Sequence, residues 1–228
     1  MIAHVDHLVI AARSLEEGLD WCEATFGVVP AAGGAHPLMG THNRLMKIAS
    51  ASFPRAYLEI IAVAPRSRPT RATRKHRWYD LDDAHLQASL ARSGPRLVHF
   101  VAEVADIHAA IRALHQVRID RGHALTVSRD TPAGRLSWHI TVRDDGQRLF
   151  YGTLPTLIQW GPAHPADDLP ETGIALRSLD LAHPRTADLD TALRAIGLAG
   201  VTLAAGAPDL HAVFDTPRGA LSLHSRGI

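Results

Sequence analysis

The sequence predicts an α+β fold of repeated β-α-β-β-β modules, forming curved mixed sheets with the helices outside. Three observations carry this. Val5-Asp6-His7-Leu8-Val9 and Leu97-Val98-His99-Phe100-Val101 open two strands with matching apolar runs around a histidine. Each is followed by an amphipathic helical stretch and then by turn-separated strands. Each unit closes on an apolar strand with one polar residue, Tyr57-Leu58-Glu59-Ile60-Ile61 in the first and Thr156-Leu157-Ile158-Gln159-Trp160 in the second. His99 follows His7 by 92 residues (99 − 7) and Gln159 follows Glu59 by 100 (159 − 59), so one offset and a small insertion relate the units.

The first module is placed at residues 1–64. Residues 4–12 read as a strand. Ser14-Leu15-Glu16-Glu17 is a capping box: the hydroxyl accepts the third backbone N–H of a helix while Glu17 reaches back. That helix runs to about Phe26, with Leu15, Leu19, Cys22 and Phe26 on one face, and Gly27 stops it. A loop rich in Gly, Ala and Pro spans 30–40, with a short strand between Val28 and Pro37, and strands at 43–49 and 56–63 follow.

Residues 65–95 are a basic connector leading into a helix near 83–92. The connector is read as a solvated linker and not an anion patch, because no acceptor motif accompanies its charges. The second module, 96–163, opens with a strand at 97–104. Asp106 caps a helix through Gln116, and strands follow at 124–128, 136–142 and 154–160. Residues 164–173, with three prolines, form a linker. A third, shorter module occupies 174–228: a strand at 174–182, a helix at 187–196 ended by Gly197, and strands at 201–204, 211–214 and 220–224. Thr131-Pro132-Ala133-Gly134 and Thr216-Pro217-Arg218-Gly219 read as tight turns in the second and third modules.

The bulk properties narrow the function. With 24 basic and 23 acidic residues in 228, the formal charge is +1, which leaves no footprint for nucleic acid or an anionic membrane. The single cysteine, Cys22, excludes an internal disulfide and reads as a small buried hydrophobe. No charged and apolar leader opens the chain and no apolar run reaches the ~20 residues of a membrane span, so a soluble, cytoplasmic protein is expected.

Four polar side chains interrupt otherwise apolar strands: His7, Glu59, His99 and Gln159. A buried carboxylate is costly unless it is paired, hydrogen-bonded or bound to a cation. A sheet cupped from two modules would gather these four on its concave surface, and two imidazoles, a carboxylate and an amide oxygen suit Fe, Mn, Co, Ni or Zn with coordination positions left open. His42, Asn43 and Arg44 follow the Gly40 turn and are candidates to touch a small-molecule substrate or ligand in the cup, the alternatives being turn capping for His42 and Asn43 and a surface role for Arg44.

This arrangement resembles the vicinal oxygen chelate superfamily, and within it the glyoxalase-like domain proteins. The supporting stretches are Gly40-Thr41-His42-Asn43-Arg44-Leu45 before Tyr57-Leu58-Glu59-Ile60-Ile61, the Pro95-Arg96-Leu97-Val98-His99 entry to the second unit, and Leu157-Ile158-Gln159-Trp160-Gly161. The resemblance implies a divalent metal at the module junction, held by His7, Glu59, His99 and Gln159, chelating vicinal oxygens of a small substrate. Gln159 stands where a second glutamate is usual, and an amide takes no proton, so the catalytic base expected from the resemblance is Glu59. Lyase, isomerase or dioxygenase chemistry is the expectation. The alternative is a metal-free protein of the same fold that binds and sequesters a small molecule. The third module carries no ligand-type residue at matching places (Leu179, Ser222) and is expected to cover an open sheet or to form a homodimer contact.

Overall fold

The computed structural model describes residues 2–65, 67–71, 75–131 and 134–228. The first unit comprises β1 (Ala3–Ala11), α1 (Leu15–Phe26), β2 (Ala31–His36), β3 (Thr41–Lys47) and β4 (Tyr57–Val63). After α2 (Ala84–Ser93), the second comprises β5 (Arg96–Val104), α3 (Ile107–Gln116), β6 (His123–Thr131), β7 (Gly134–Val142) and β8 (Thr156–Trp160). A single helical turn, α4 (Pro165–Asp168), leads to β9 (Ala175–Ala182), α5 (Thr186–Ala195), β10 (Val201–Ala204), β11 (Asp209–Thr216) and β12 (Gly219–His224).

Local chemistry sets the helix ends. Ser14 accepts the Glu17 N–H at 3.2 Å, and Asp83 and Asp106 do the same for Leu86 and Ala109. Glu17 itself pairs with Arg13. Gly27, with φ 74°, takes the left-handed turn that ends α1.

Eight strands form one sheet in the order β2-β3-β4-β1-β5-β8-β7-β6. Each unit pairs its opening strand in parallel with its last, β1 with β4 and β5 with β8, and the units join through antiparallel β1 and β5. Both faces are buried, which is why these strands read as continuous apolar runs. Leu8, Ile10, Leu58, Ile60, Phe100 and Leu157 pack outward with α1, α3 and the third unit. Val9, Ile61, Val101, Trp138, Ile140 and Ile158 face inward, covered by Trp78, Tyr79, Leu86 and Leu90.

The third unit keeps the element order but not the strand order. Its sheet runs β10-β9-β11-β12, so its opening strand pairs with the strand after the helix and not with the last. It packs outside the large sheet: Leu176 donates to Ile48 at 2.8 Å, and Phe214 meets Phe26 edge to face at 5.2 Å between centroids.

The linker at 164–173 is more structured than expected, since His164 caps α4 through its own ring nitrogen. Of the basic connector, residues 66 and 72–74 lie outside the described residues. Arg71 turns inward and donates to the His76 carbonyl at 2.6 Å, a structural tie and not a solvated charge. Pro132 and Ala133 of the first proposed turn also lie outside the described residues; in the other, Thr216 Oγ1 donates to the Gly219 carbonyl at 2.8 Å. Among the described residues no helix is long and apolar enough to cross a membrane.

Candidate active site

β1 and β4 lie side by side with His7 opposite Tyr57 and Val9 opposite Glu59, so alternation puts His7, Tyr57 and Glu59 on the inner face. His7 Nε2 and Glu59 Oε2 are 3.5 Å apart, and the Tyr57 ring stacks on the imidazole at 4.5 Å. These groups form the floor of a small cup lined also by His36, Asn43, Trp78, Tyr79, Arg129, Trp138 and Trp160.

Both functional groups are held from behind. In the β1–β5 register Val5 faces Ala102 and His7 faces Val101, which leaves Asp6 as an extra, bulged residue. The bulge brings the Asp6 carboxylate to His7, where Oδ1 binds Nδ1. Asp6 Oδ2 accepts from Trp160 Nε1 and from His164 Nε2, both at 2.9 Å. His164 Nδ1 accepts the Ala166 N–H, so its proton is on Nε2 and points at Asp6. On the other side Asn43 Nδ2 donates to Glu59 Oε1 at 2.6 Å, and Asn43 Oδ1 accepts the Gly34 N–H at 2.8 Å, which fixes the amide orientation.

The charges follow from these contacts. Burial works against a charged His7, but the hydrogen bond and charge of Asp6, with those of Glu59, outweigh it and raise the imidazole to about 9. Burial alone would raise Glu59; the His7 hydrogen bond and charge reverse this and hold the carboxyl below its ordinary value. At neutral pH the floor is therefore an imidazolium between two carboxylates. His36 has no such partner, and burial lowers it to about 4, so it stays neutral. Burial, reinforced by nearby carboxylates, pushes the Tyr57 and Tyr79 phenols well above their usual range, which keeps both as neutral donors.

The structure separates the expected site residues. His7, Glu59 and Asn43 come together as described. His42 and Arg44 do not join them: they flank Asn43 on β3 and so point to the opposite face, where both lie near Glu16. Gln159 is likewise corrected. Ile158 and Trp160 face inward, so Gln159 faces outward, and its Oε1 accepts the Ile107 N–H at the start of α3 at 2.9 Å.

His99 is on the inner side, yet both ring nitrogens are committed. Nε2 accepts the Thr156 N–H at 3.1 Å, and Nδ1 lies 2.9 Å from the Gly152 carbonyl, which places the ring proton there. Gly152 makes that approach with φ 90°, and a Cβ on it would sit 2.4 Å from the Val98 carbonyl oxygen. No lone pair of His99 is left for an ion, so the expected four-ligand set does not assemble.

Asp6, His164, Trp160, His36 and Tyr79 were not anticipated. Asp6 sits beside His7 in sequence, but only the bulge turns it inward. His164 comes from a stretch read as linker, and its one sequence signal was a cap-like position before Pro165 and Asp167. Asp6, Glu103 and His164 each offer an atom within 4.8 Å of the others, a group able to hold a cation, set behind His7 and outside the cup lining.

A family model and one solved structure agree with this architecture. The sequence model of the glyoxalase-like domain family matches residues 5–197. A hypothetical protein from Staphylococcus aureus superposes with a TM-score of 0.60 at 15% identity, covering 92% of this chain and 81% of that one. A Streptomyces coelicolor methylmalonyl-CoA epimerase variant in complex with 2-nitronate-propionyl-CoA gives 0.43 at 17% identity, over 72% of this chain and 99% of that one. The Mycobacterium tuberculosis methylmalonyl-CoA epimerase gives 0.39 at 16%, over 70% and 88%. No protein with curated annotation matches. The family match over most of the chain, on a fold of paired β-α-β-β-β units, shows that this protein belongs to the glyoxalase-like domain family.

Proposed function

We propose that the protein is an enzyme of the isomerase or lyase type that moves a proton on a small oxygenated substrate held in the cup, with Glu59 as the base. The observation that carries this is the His7–Glu59 pair, 3.5 Å apart, each held from behind by Asp6 and Asn43. Glu59 is ionised and lines the cup with Oε2 3.5 Å from His7 Nε2, so it can take a proton from carbon next to a carbonyl. As negative charge moves to the carbonyl oxygen, the His7 imidazolium is the group placed to receive it, with the neutral Tyr57 and Tyr79 phenols nearby. Returning the proton completes an isomerisation, and expelling a leaving group from the next carbon completes a lyase reaction.

The divalent metal implied by the family fits the expected ligand set in the cup poorly. Only one imidazole and one carboxylate of the expected ligands converge, and His7 Nε2 must first give up a proton that Asp6 and Glu59 stabilise. No step is assigned to an ion. Dioxygenase chemistry, which takes two histidines and a carboxylate, loses its second histidine to Thr156 and Gly152.

A metal-free binding protein is the second reading, favoured by the aromatic walls Trp78, Trp138 and Trp160. A turnover screen of small hydroxy-carbonyl and dicarbonyl compounds, followed by proton NMR with wild type and Glu59→Gln, separates the two. The enzyme reading expects turnover that falls by about 100-fold or more in the variant. Saturable binding with no conversion, unchanged by the variant, supports the second.

A further inference from the structure

Arg129 projects from β6 into the cup, and its position is unusual. β6 and β2 are the two ends of the eight-stranded sheet. The curvature brings them together so closely that a Cβ on Gly34 of β2 would lie 2.2 Å from Arg129 Nη1. Gly34 thus leaves room for the guanidinium to lie against the opposite edge of the sheet, where it lines the cup with His7 and Glu59. Among the described residues Arg129 makes no ion pair, and its Nε and Nη1 are buried without a hydrogen-bond partner. Trp78 Nε1, on a side chain only 6% exposed that lines the same cup, is also buried without a partner. Burying unpaired donors is costly, so a set of them around one cavity points to an acceptor that belongs there.

We propose that Arg129, with Trp78, anchors a carboxylate of the substrate, making the substrate class a small oxygenated carboxylic acid. This deepens the proton-transfer reading and rests on it for the identity of the reacting end. The unmatched groups are donors only, and a carboxylate is an acceptor-only ligand. The charge of His7 is already met by Asp6 and Glu59. With Asp6 and Glu59 set against His7 and Arg129 the cup is neutral before a ligand enters, so a carboxylate adds a single negative charge where a phosphate dianion would add two. The free space in the cup is about 30 Å³, so the acid is small and the Arg129 side chain shifts to admit it.

The test is equilibrium binding, read by fluorescence of the cup tryptophans. Pyruvate and 2-oxobutyrate are titrated against uncharged pyruvamide and inorganic phosphate. The wild type should bind both acids about tenfold or more tightly than the amide, the size expected of hydrogen bonds to a charged group. Arg129→Met should erase that preference without changing amide binding, and Arg129→Lys should keep part of it. Gly34→Ala is a second variant that displaces the guanidinium but keeps its charge, and it should lose the preference too.

Equal affinity for acid and amide, the same preference in Arg129→Met, phosphate binding as tightly as the acids, or no saturable acid binding each overturns the proposal. Acid preference without turnover leaves the anchor standing and removes the proton-transfer reading. Turnover of uncharged compounds without acid preference does the reverse.

Discussion

Replacing Asp6 by Asn should both weaken the fold and change how its stability depends on pH. Asp6 binds His7 through one oxygen and accepts from Trp160 and His164 through the other. An amide of the same shape has only one acceptor oxygen, so one of these two donor sets must face an NH₂. The imidazolium also loses its nearest anion. Holding His7 at about 9 against an ordinary 6.5 corresponds to roughly 3 kcal/mol. A histidine raised in this way contributes stability that is fully present below pH 6.5 and is lost as the pH climbs through about 9. Glu59 keeps its share of the shift, so Asp6→Asn should cost up to about 3 kcal/mol near pH 6.5, in line with breaking a buried charge pair, and should make the alkaline limb shallower. Urea unfolding followed by tryptophan fluorescence, at several pH values between 6.5 and 9, measures both effects. The window stops there because Cys22, pushed up to about 12 by burial, adds its own alkaline loss above its ordinary 9.0. A wild type of constant stability across the window, or a variant whose slope parallels the wild type, refutes the reasoning.

Other perturbations sort structural from chemical roles. His36 is held neutral, so it contributes stability that is lost as the pH falls from 6.5 through about 4; His36→Gln should flatten the acid limb of the same unfolding series. Gln159→Ala should cost about 1 kcal/mol by leaving the Ile107 N–H unpaired, a fall of about 2–4 °C by calorimetry, with cup chemistry unchanged. Gly33→Ala should be far worse than Gly34→Ala. Its Cβ would lie 2.4 Å from the Asn43 backbone oxygen, which cannot swing aside, and a cost of about 2 kcal/mol in urea unfolding is expected.

The sequence carried the fold well because its signals were local and periodic. The caps at Ser14 and Asp106 and the apolar faces of their helices sit where the residues place them. It carried the site less well, for two reasons. In strands buried on both faces, polarity does not alternate, so nothing in Leu157-Ile158-Gln159-Trp160 says which side Gln159 takes; matching it to Glu59 by position assigned it to the wrong face. The same one-residue parity sends Asn43 in and His42 and Arg44 out. Contacts made by tertiary geometry are not written in local pattern: the bulge at Asp6, and the meeting of His164 with Asp6 across 158 residues.

The most direct test of proton transfer at Glu59 is hydrogen exchange on the substrate itself. Small 2-oxo and 2-hydroxy acids are incubated with the protein in D₂O, and deuterium at the carbon next to the carbonyl or hydroxyl is read by mass spectrometry, with Glu59→Gln in parallel. The account predicts enzyme-dependent incorporation into at least one acid, falling by about 100-fold or more in the variant while its unfolding midpoint stays near the wild type. Incorporation that is equal in wild type and Glu59→Gln, or that never exceeds the enzyme-free control, would contradict it.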